Sequence, residues 1–274
     1  MLRTETVDGW LLITHPAHAG LAGRLGDAWG NSEFPRPEPY PHIREAVYAH
    51  DDGWLARDAS PVLTRQGKPA AFSRELVGTY SAFEEIDLAD YLSVRGRALE
   101  AVAERDPYAA VIVSMHTVNL LTEQADLSTI RPEDRPLHAA FIAGQRAQQQ
   151  ALAERLQSTP LAPYATPSTF DRAFRFLQCC DSFSLMACVS YDQPRPLRHT
   201  HEKADGTRQE IICRPKGRGI YTLSPWPLNV GRIDFTILAR HVIGKTFENL
   251  EAFRTAYHAK PPEPVEISVR PEGQ

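Results

Sequence analysis

The stretch REAVYAHDDGW, residues 44–54, sets a histidine and two aspartates behind a short apolar run. His50, Asp51 and Asp52 are adjacent on what reads as a helix whose buried stripe includes Ile43 and Val47. Carboxylates close to a core cost free energy unless something positive compensates them. The stretch is therefore either a solvated helix end or half of a metal site. Adjacent helical residues point about 100° apart, so His50 and Asp51 can flank one cation, or Asp51 can bridge two.

Other residues fall on apolar helical faces. His18 shares a face with Leu21, Ala22, Leu25 and Trp29, and His116 with Ala109, Ile112, Val113 and Leu120. Asp181 lies within the stripe Phe174, Leu177, Gln178, Ser184, Leu185 and Cys188. An aspartate is seldom fully buried unless it is paired or bound to a metal. Singly, each has an ordinary reading. A lone histidine on an apolar face is most often a hydrogen-bonded core residue, and Asp181 can pair with Arg172 or Arg175. The ordered set is more telling, because imidazole and carboxylate are the ligands that borderline divalent metals prefer.

Competing groups are weaker. RHTHEK offers His199 and His201 at alternating spacing, in a polar string that reads as a solvated loop. His15 precedes a proline and reads as a turn residue. Cys179, Cys180, Cys188 and Cys213 lack the paired spacing of a structural zinc site and read as buried or reduced thiols. No glycine-rich phosphate cradle and no serine nucleophile elbow is present.

The elements that must position these residues are mostly helical. A short strand over 9–14 precedes a helix opened by Pro16. A proline-rich loop spans 31–41, and a helix over about 42–52 ends at Gly53. Segment 55–80 reads as loop. Further helices are expected at about 83–104, 107–122, 133–157 and 168–191. After residue 190 the strings QEIICRP, GIYTLSP, RIDFTILARHVI and VEISVRP read as strands, with one helix in TFENLEAFRTAYHA. The expected fold is mainly α: a helical metal-binding domain over 1–190, with a small β-rich appendage over 191–274 packed on it. The 274 residues carry a net charge of −4 and no basic block, which argues against a nucleic-acid partner. No segment approaches the roughly 20 apolar residues of a membrane span, so a cytoplasmic protein is expected.

The order His18, His50-Asp51, His116, Asp181 resembles the H…HD…D signature of the HD-domain superfamily of helical, metal-dependent proteins. The strings HAGLAGRLGDAWG, HDDGW, SMHTVNLL and LQCCDSFSLMAC look like those of an uncharacterised bacterial family of that general type. The resemblance covers roughly residues 10–190 and, for the uncharacterised family, the strand-rich tail as well. It implies that His18, His50, Asp51 and Asp181 ligate one divalent transition metal (Mn, Co, Ni, Zn or Fe). In binuclear members Asp51 would bridge, and two further histidines bind a second ion. His116 matches the first of these, and His138 is the only remaining candidate for the other. Asp52 departs from the pattern, and stands as an exposed helix-end carboxylate, a general base or a group orienting a ligand. Trp29 and Trp54 either wall a pocket or pack the core.

The implied activity is metal-dependent hydrolysis of a small phosphorylated or polar metabolite. Arg24, Arg44, Arg65 and Lys68 are the cations considered for substrate phosphate. A di-iron oxygenase acting on a small organic substrate is the alternative, and a non-catalytic regulatory scaffold the third reading. A homodimer through unpaired strand edges is compatible with all three.

Overall fold

Side-chain caps and prolines fix where the central helices begin. Thr14 accepts a hydrogen bond from the Ala17 amide and Pro16 occupies the first turn of α1 (His15–Asp27). Asp106 caps α5 (Pro107–Thr122) through the Tyr108 and Ala109 amides. Thr166 caps α7 (Pro167–Cys188) through Thr169. The computed structural model describes residues 1–73, 87–217 and 219–273. Its other helices are α2 (Tyr40–Ala49), α3 (Leu55–Ala59), α4 (Leu88–Arg105), α6 (Arg135–Leu156) and α8 (Leu250–His258). The α3 turn lies where a loop is expected. The expected helix start at 83–86 and the loop residues 74–80 lie outside the described residues.

The expectation of a mainly helical bundle with a small β-rich appendage is overturned by the sheet. Among the described residues eight strands join in one sheet, in the order β3-β1-β2-β9-β10-β8-β7-β4. These are β1 (Leu2–Glu5), β2 (Gly9–Ile13), β3 (Phe72–Ser73), β4 (Arg195–Pro196), β7 (Ile212–Gly217), β8 (Ile220–Ser224), β9 (Ile233–Ile243) and β10 (Glu263–Pro271). A separate ribbon pairs β5 (His201–Glu202) with β6 (Arg208–Gln209). β2 pairs antiparallel with β9, Gly9 opposite Ile243 and Ile13 opposite Ala239. N-terminal strands thus complete a sheet whose other strands come mostly from the C-terminal third, and the fold is mixed α+β rather than all-helical.

Strand alternation divides the sheet faces. Leu2, Ile13, Phe235, Ile237, Ala239, Ile267 and Val269 point into the main core with Leu21, Leu25, Phe183 and Met186 of α1 and α7. Trp10, Leu12 and Val242 point the other way, against Phe253 and Tyr257 of α8. The sheet therefore backs the helical layer that carries the candidate ligands, and α8 covers part of its far side. The four cysteines are free and buried. Among the described residues no helix is long and apolar enough to cross a membrane.

Candidate metal centre

Burial of three apolar stripes aims three imidazoles at one place. On α1, Leu21, Ala22 and Leu25 are buried and His18 follows them inward, 1% exposed. On α2, Ile43, Ala46 and Val47 are buried, and the helix stops one residue before His50. Asp51 has left helical geometry, with φ −119° and ψ 13°, and a 3₁₀ turn over Asp52–Trp54 follows. The His-Asp pair is thus not two successive helical positions; the backbone bend turns the Asp51 carboxylate back toward His50. α5 contributes His116 and α7 contributes Asp181.

These five side chains form two overlapping triads, His18–His50–Asp51 and His50–His116–Asp181, with the donor atoms of each within 4.8 Å of one another. His18 Nε2 lies 2.9 Å from Asp181 Oδ1, and His50 Nε2 lies 3.4 Å from the same oxygen. Asp51 Oδ2 is 3.8 Å from His50 Nε2 and 4.0 Å from His18 Nε2. His116 Nε2 is 3.9 Å from Asp181 Oδ2.

The far nitrogens of the rings decide which imidazoles are free to ligate. His50 Nδ1 donates to the Val47 carbonyl at 2.7 Å. Ser184 Oγ donates to the His18 carbonyl at 2.7 Å, so at its 2.7 Å contact with His18 Nδ1 it accepts. In both rings it is Nε2 that faces the centre, and His50 Nε2 is buried with no hydrogen-bond partner. His116 is different. The Gln178 amide nitrogen donates to Asn119 Oδ1 at 2.8 Å and faces His116 Nδ1 at 3.4 Å, while Gln178 Oε1 accepts from His199 Nε2 at 2.5 Å. An Nδ1 that accepts puts the His116 proton on Nε2, pointing into the site.

Charge balance favours a cation here. Burial opposes ionised carboxylates, yet the neighbouring arginine and histidines hold Asp51 and Asp181 well below the usual carboxylate range. Burial alone would lower His50, but Asp51 and Asp181 outweigh it and lift it to about 9. Burial dominates at His116 and lowers it to about 3, so that ring is neutral. A lone pair and a carboxylate oxygen 2.9 Å apart repel unless a proton or a metal ion neutralises them. The donor set, two imidazoles and two carboxylates, fits a divalent ion of the zinc or manganese type.

Arg95 of α4 limits how many ions fit. It is 4% exposed and donates to Asp51 Oδ1 at 2.6 Å and to the His50 carbonyl at 3.2 Å. Bridging needs both carboxylate oxygens, and an ion at Oδ1 would sit against a guanidinium. Asp51 therefore offers the centre one oxygen, Oδ2.

A family model described as a protein of unknown function (DUF3891) matches residues 1–243. The chain belongs to the DUF3891 family. Neither the curated proteins nor the solved structures contain a match. The matched span includes every residue of the cluster.

Several candidates in the DUF3891 chain lie elsewhere. Asp52 is turned outward to Arg105, 3.0 Å away, and is no part of the cluster. The bend that brings Asp51 inward sends the next side chain out. His138 Nε2 donates to the Leu121 carbonyl at 2.8 Å, so the expected second histidine of a binuclear site is engaged away from it. Trp54 stacks on His15 at 4.7 Å and Trp29 packs edge-on to Phe176, both as core aromatics. His15 is the first residue of α1 rather than a turn residue, and is buried beside Asp58. Arg44 pairs with Asp27, Arg24 donates to the Thr236 carbonyl, and Arg65 and Lys68 lie in the Leu63–Pro69 turn. His199 is half-buried and His201 buried, where a solvated loop is expected.

Two contributors, Arg95 and the Gln178–His199 link, were not singled out from sequence as site residues. The signal for Arg95 is its place in the stripe Leu88, Tyr91, Leu92, Leu99 and Val102, all buried.

Proposed function

We propose that this DUF3891 chain is a metal-dependent hydrolase with an HD-like ligand set carried on an α+β fold. It holds one divalent ion and acts on a small phosphorylated or otherwise polar metabolite. The observation that carries the reading is the pair of buried triads that share His50, His18–His50–Asp51 and His50–His116–Asp181, drawn together by His18 Nε2 2.9 Å from Asp181 Oδ1, with the ring orientations of His18 and His50 set by Ser184 and Val47. A divalent ion at such a site supplies an acidified water and polarises a phosphoryl or carbonyl oxygen.

The chain's own residues do the rest. Ser184 and the Val47 carbonyl lock the ring orientations of His18 and His50, and Arg95 fixes the Asp51 carboxylate. Neutral His116 keeps its proton on Nε2, where it can donate a hydrogen bond to a substrate oxygen. The oxygenase alternative needs a second iron, and the guanidinium at Asp51 Oδ1 and the engagement of His138 both weigh against it.

The test is elemental analysis of protein purified without chelator, followed by assay against a panel of nucleotides and phosphomonoesters. About one Mn, Co, Ni, Zn or Fe per chain is expected, lost in His50→Ala and Asp181→Ala together with turnover. If both variants keep their metal and activity, the assignment is wrong. Two irons per chain would favour the oxygenase, and absence of metal the non-catalytic scaffold.

A further inference from the structure

The segment between β4 and β5 reaches the edge of the cluster through His199 and carries a cation, Arg198, beside it. Leu197 anchors the segment: its side chain is buried and its amide donates to the Ile211 carbonyl at 2.8 Å. On the other side His199 Nε2 donates to Gln178 Oε1 at 2.5 Å, and Gln178 faces His116 at 3.4 Å. Arg198 lies between these two fixed points. It is half-buried, and among the described residues its guanidinium has no hydrogen bond or ion pair. Neighbouring arginines are committed elsewhere: Arg175 to Asp171 at 2.7 Å and Arg172 to Glu202 at 3.3 Å.

A partly desolvated guanidinium without a partner is costly. His199 holds Gln178, which lies one turn before Asp181 on α7, so Arg198 stands beside the acidic end of the cluster; burial pushes Arg198 below its ordinary range and the Asp181 carboxylate pulls the other way. Asp181 does not pair with it directly, because its oxygens face His18, His50 and His116. The charges of the site then follow. Asp51 is matched by Arg95; Asp181 contributes one negative charge, a divalent ion two positive and Arg198 one positive. The sum is a site with two positive charges left to satisfy.

Resting on the one-metal reading above, we infer that Arg198 is the anchor for a dianionic group of the substrate, a terminal phosphoryl group above all. Its planar donor fork suits the tetrahedral oxygens of phosphate. The Leu197 and His199 contacts fix the backbone on both sides of Arg198. The four cations considered from sequence are engaged or distant, and Arg198 takes the role assigned to them.

The experiment titrates inorganic phosphate, and acetate in parallel, into metal-loaded protein by calorimetry. It compares wild type, Arg198→Gln and Arg198→Lys, with metal content measured on each sample. Loss of a charged, bidentate donor weakens phosphate about 10- to 100-fold in Arg198→Gln, with about one metal ion per chain retained; Arg198→Lys keeps part of the affinity. Phosphate binding unchanged in Arg198→Gln, or wild type binding acetate as tightly as phosphate, would overturn the assignment while leaving the metal centre standing. Wild type that takes up no metal would overturn the one-metal reading itself, and the anchor with it.

Discussion

Removing Arg95 separates the electrostatic account of the site from a purely packing account. Its guanidinium and the Asp51 carboxylate are both buried and 2.6 Å apart. At an effective dielectric of about 20, two unit charges at that separation attract by about 6 kcal/mol. Much of this only offsets desolvation, and breaking one side of a buried pair costs about 3–5 kcal/mol because the other charge is left uncompensated. Arg95→Met keeps most of the side-chain volume against Tyr91 and Trp54 and removes the charge. Urea unfolding of the metal-free protein at pH 7 should show a loss of about 3–5 kcal/mol. Asp51→Asn should lose a comparable amount, and the double variant much less than the sum, leaving a coupling of about 2 kcal/mol or more. Saturating metal should restore more stability to Arg95→Met than it adds to wild type, since a cation then compensates Asp51. A coupling within about 0.5 kcal/mol of zero would show that Arg95 contributes only packing, and the one-oxygen argument for Asp51 would fall with it.

Three further outcomes are expected. Ser184→Ala removes the acceptor of His18 Nδ1–H and should weaken metal affinity about 10- to 100-fold, read by chelator competition; unchanged affinity would mean the hydroxyl does not set the ring. Gly53→Ala places a Cβ 2.6 Å from Ala98 Cβ and from the Val94 carbonyl on α4, so the 3₁₀ turn over Asp52–Trp54 and α4 must separate. Stability should fall by about 1–3 kcal/mol and metal affinity with it, read by thermal unfolding with and without metal. Burial holds His201 at about 4, so between pH 6.5 and 4 the unfolded chain binds a proton that the folded chain does not. Stability is lost as pH falls through that window, by about 3 kcal/mol from this residue. His201→Gln should flatten the stability profile there by up to about 1.4 kcal/mol per pH unit, seen in urea titrations at pH 7 and 4.5.

What could be read from the sequence was each helix's own inward face. The period of an amphipathic helix marks which side is buried, and a titratable residue on that side must find a partner. His18, His116 and Asp181 were visible on that ground, and the structure brings them together with His50 and Asp51. The same rule applied to α4 would have shown Arg95 in the stripe of Leu88, Tyr91, Leu92, Leu99 and Val102. It went unread because an arginine in a helix is ordinarily a surface residue. Asp52 shows the opposite limit. The sequence predicts a helix through His50, Asp51 and Asp52, whereas the helix stops at Ala49 and the bend after His50 sends neighbouring carboxylates to opposite sides.

The sheet and Arg198 were hidden for a related reason. Alternation in GWLLI and RIDFTILARHVI marks two strands, but nothing in either string says that Gly9 meets Ile243. Strand pairing depends on which partners remain unsatisfied after the helices have packed, and that is a property of the whole chain. Arg198 sits in a polar string that reads as solvated by composition. Its half-burial comes with Leu197 bonded to Ile211, just ahead of β7, on one side, and His199 reaching Gln178 on the other. Most of the candidate ligands are thus announced by the periodicity of single helices. The residue that would select the substrate is positioned by contacts between segments, and only the assembled fold gives it a role.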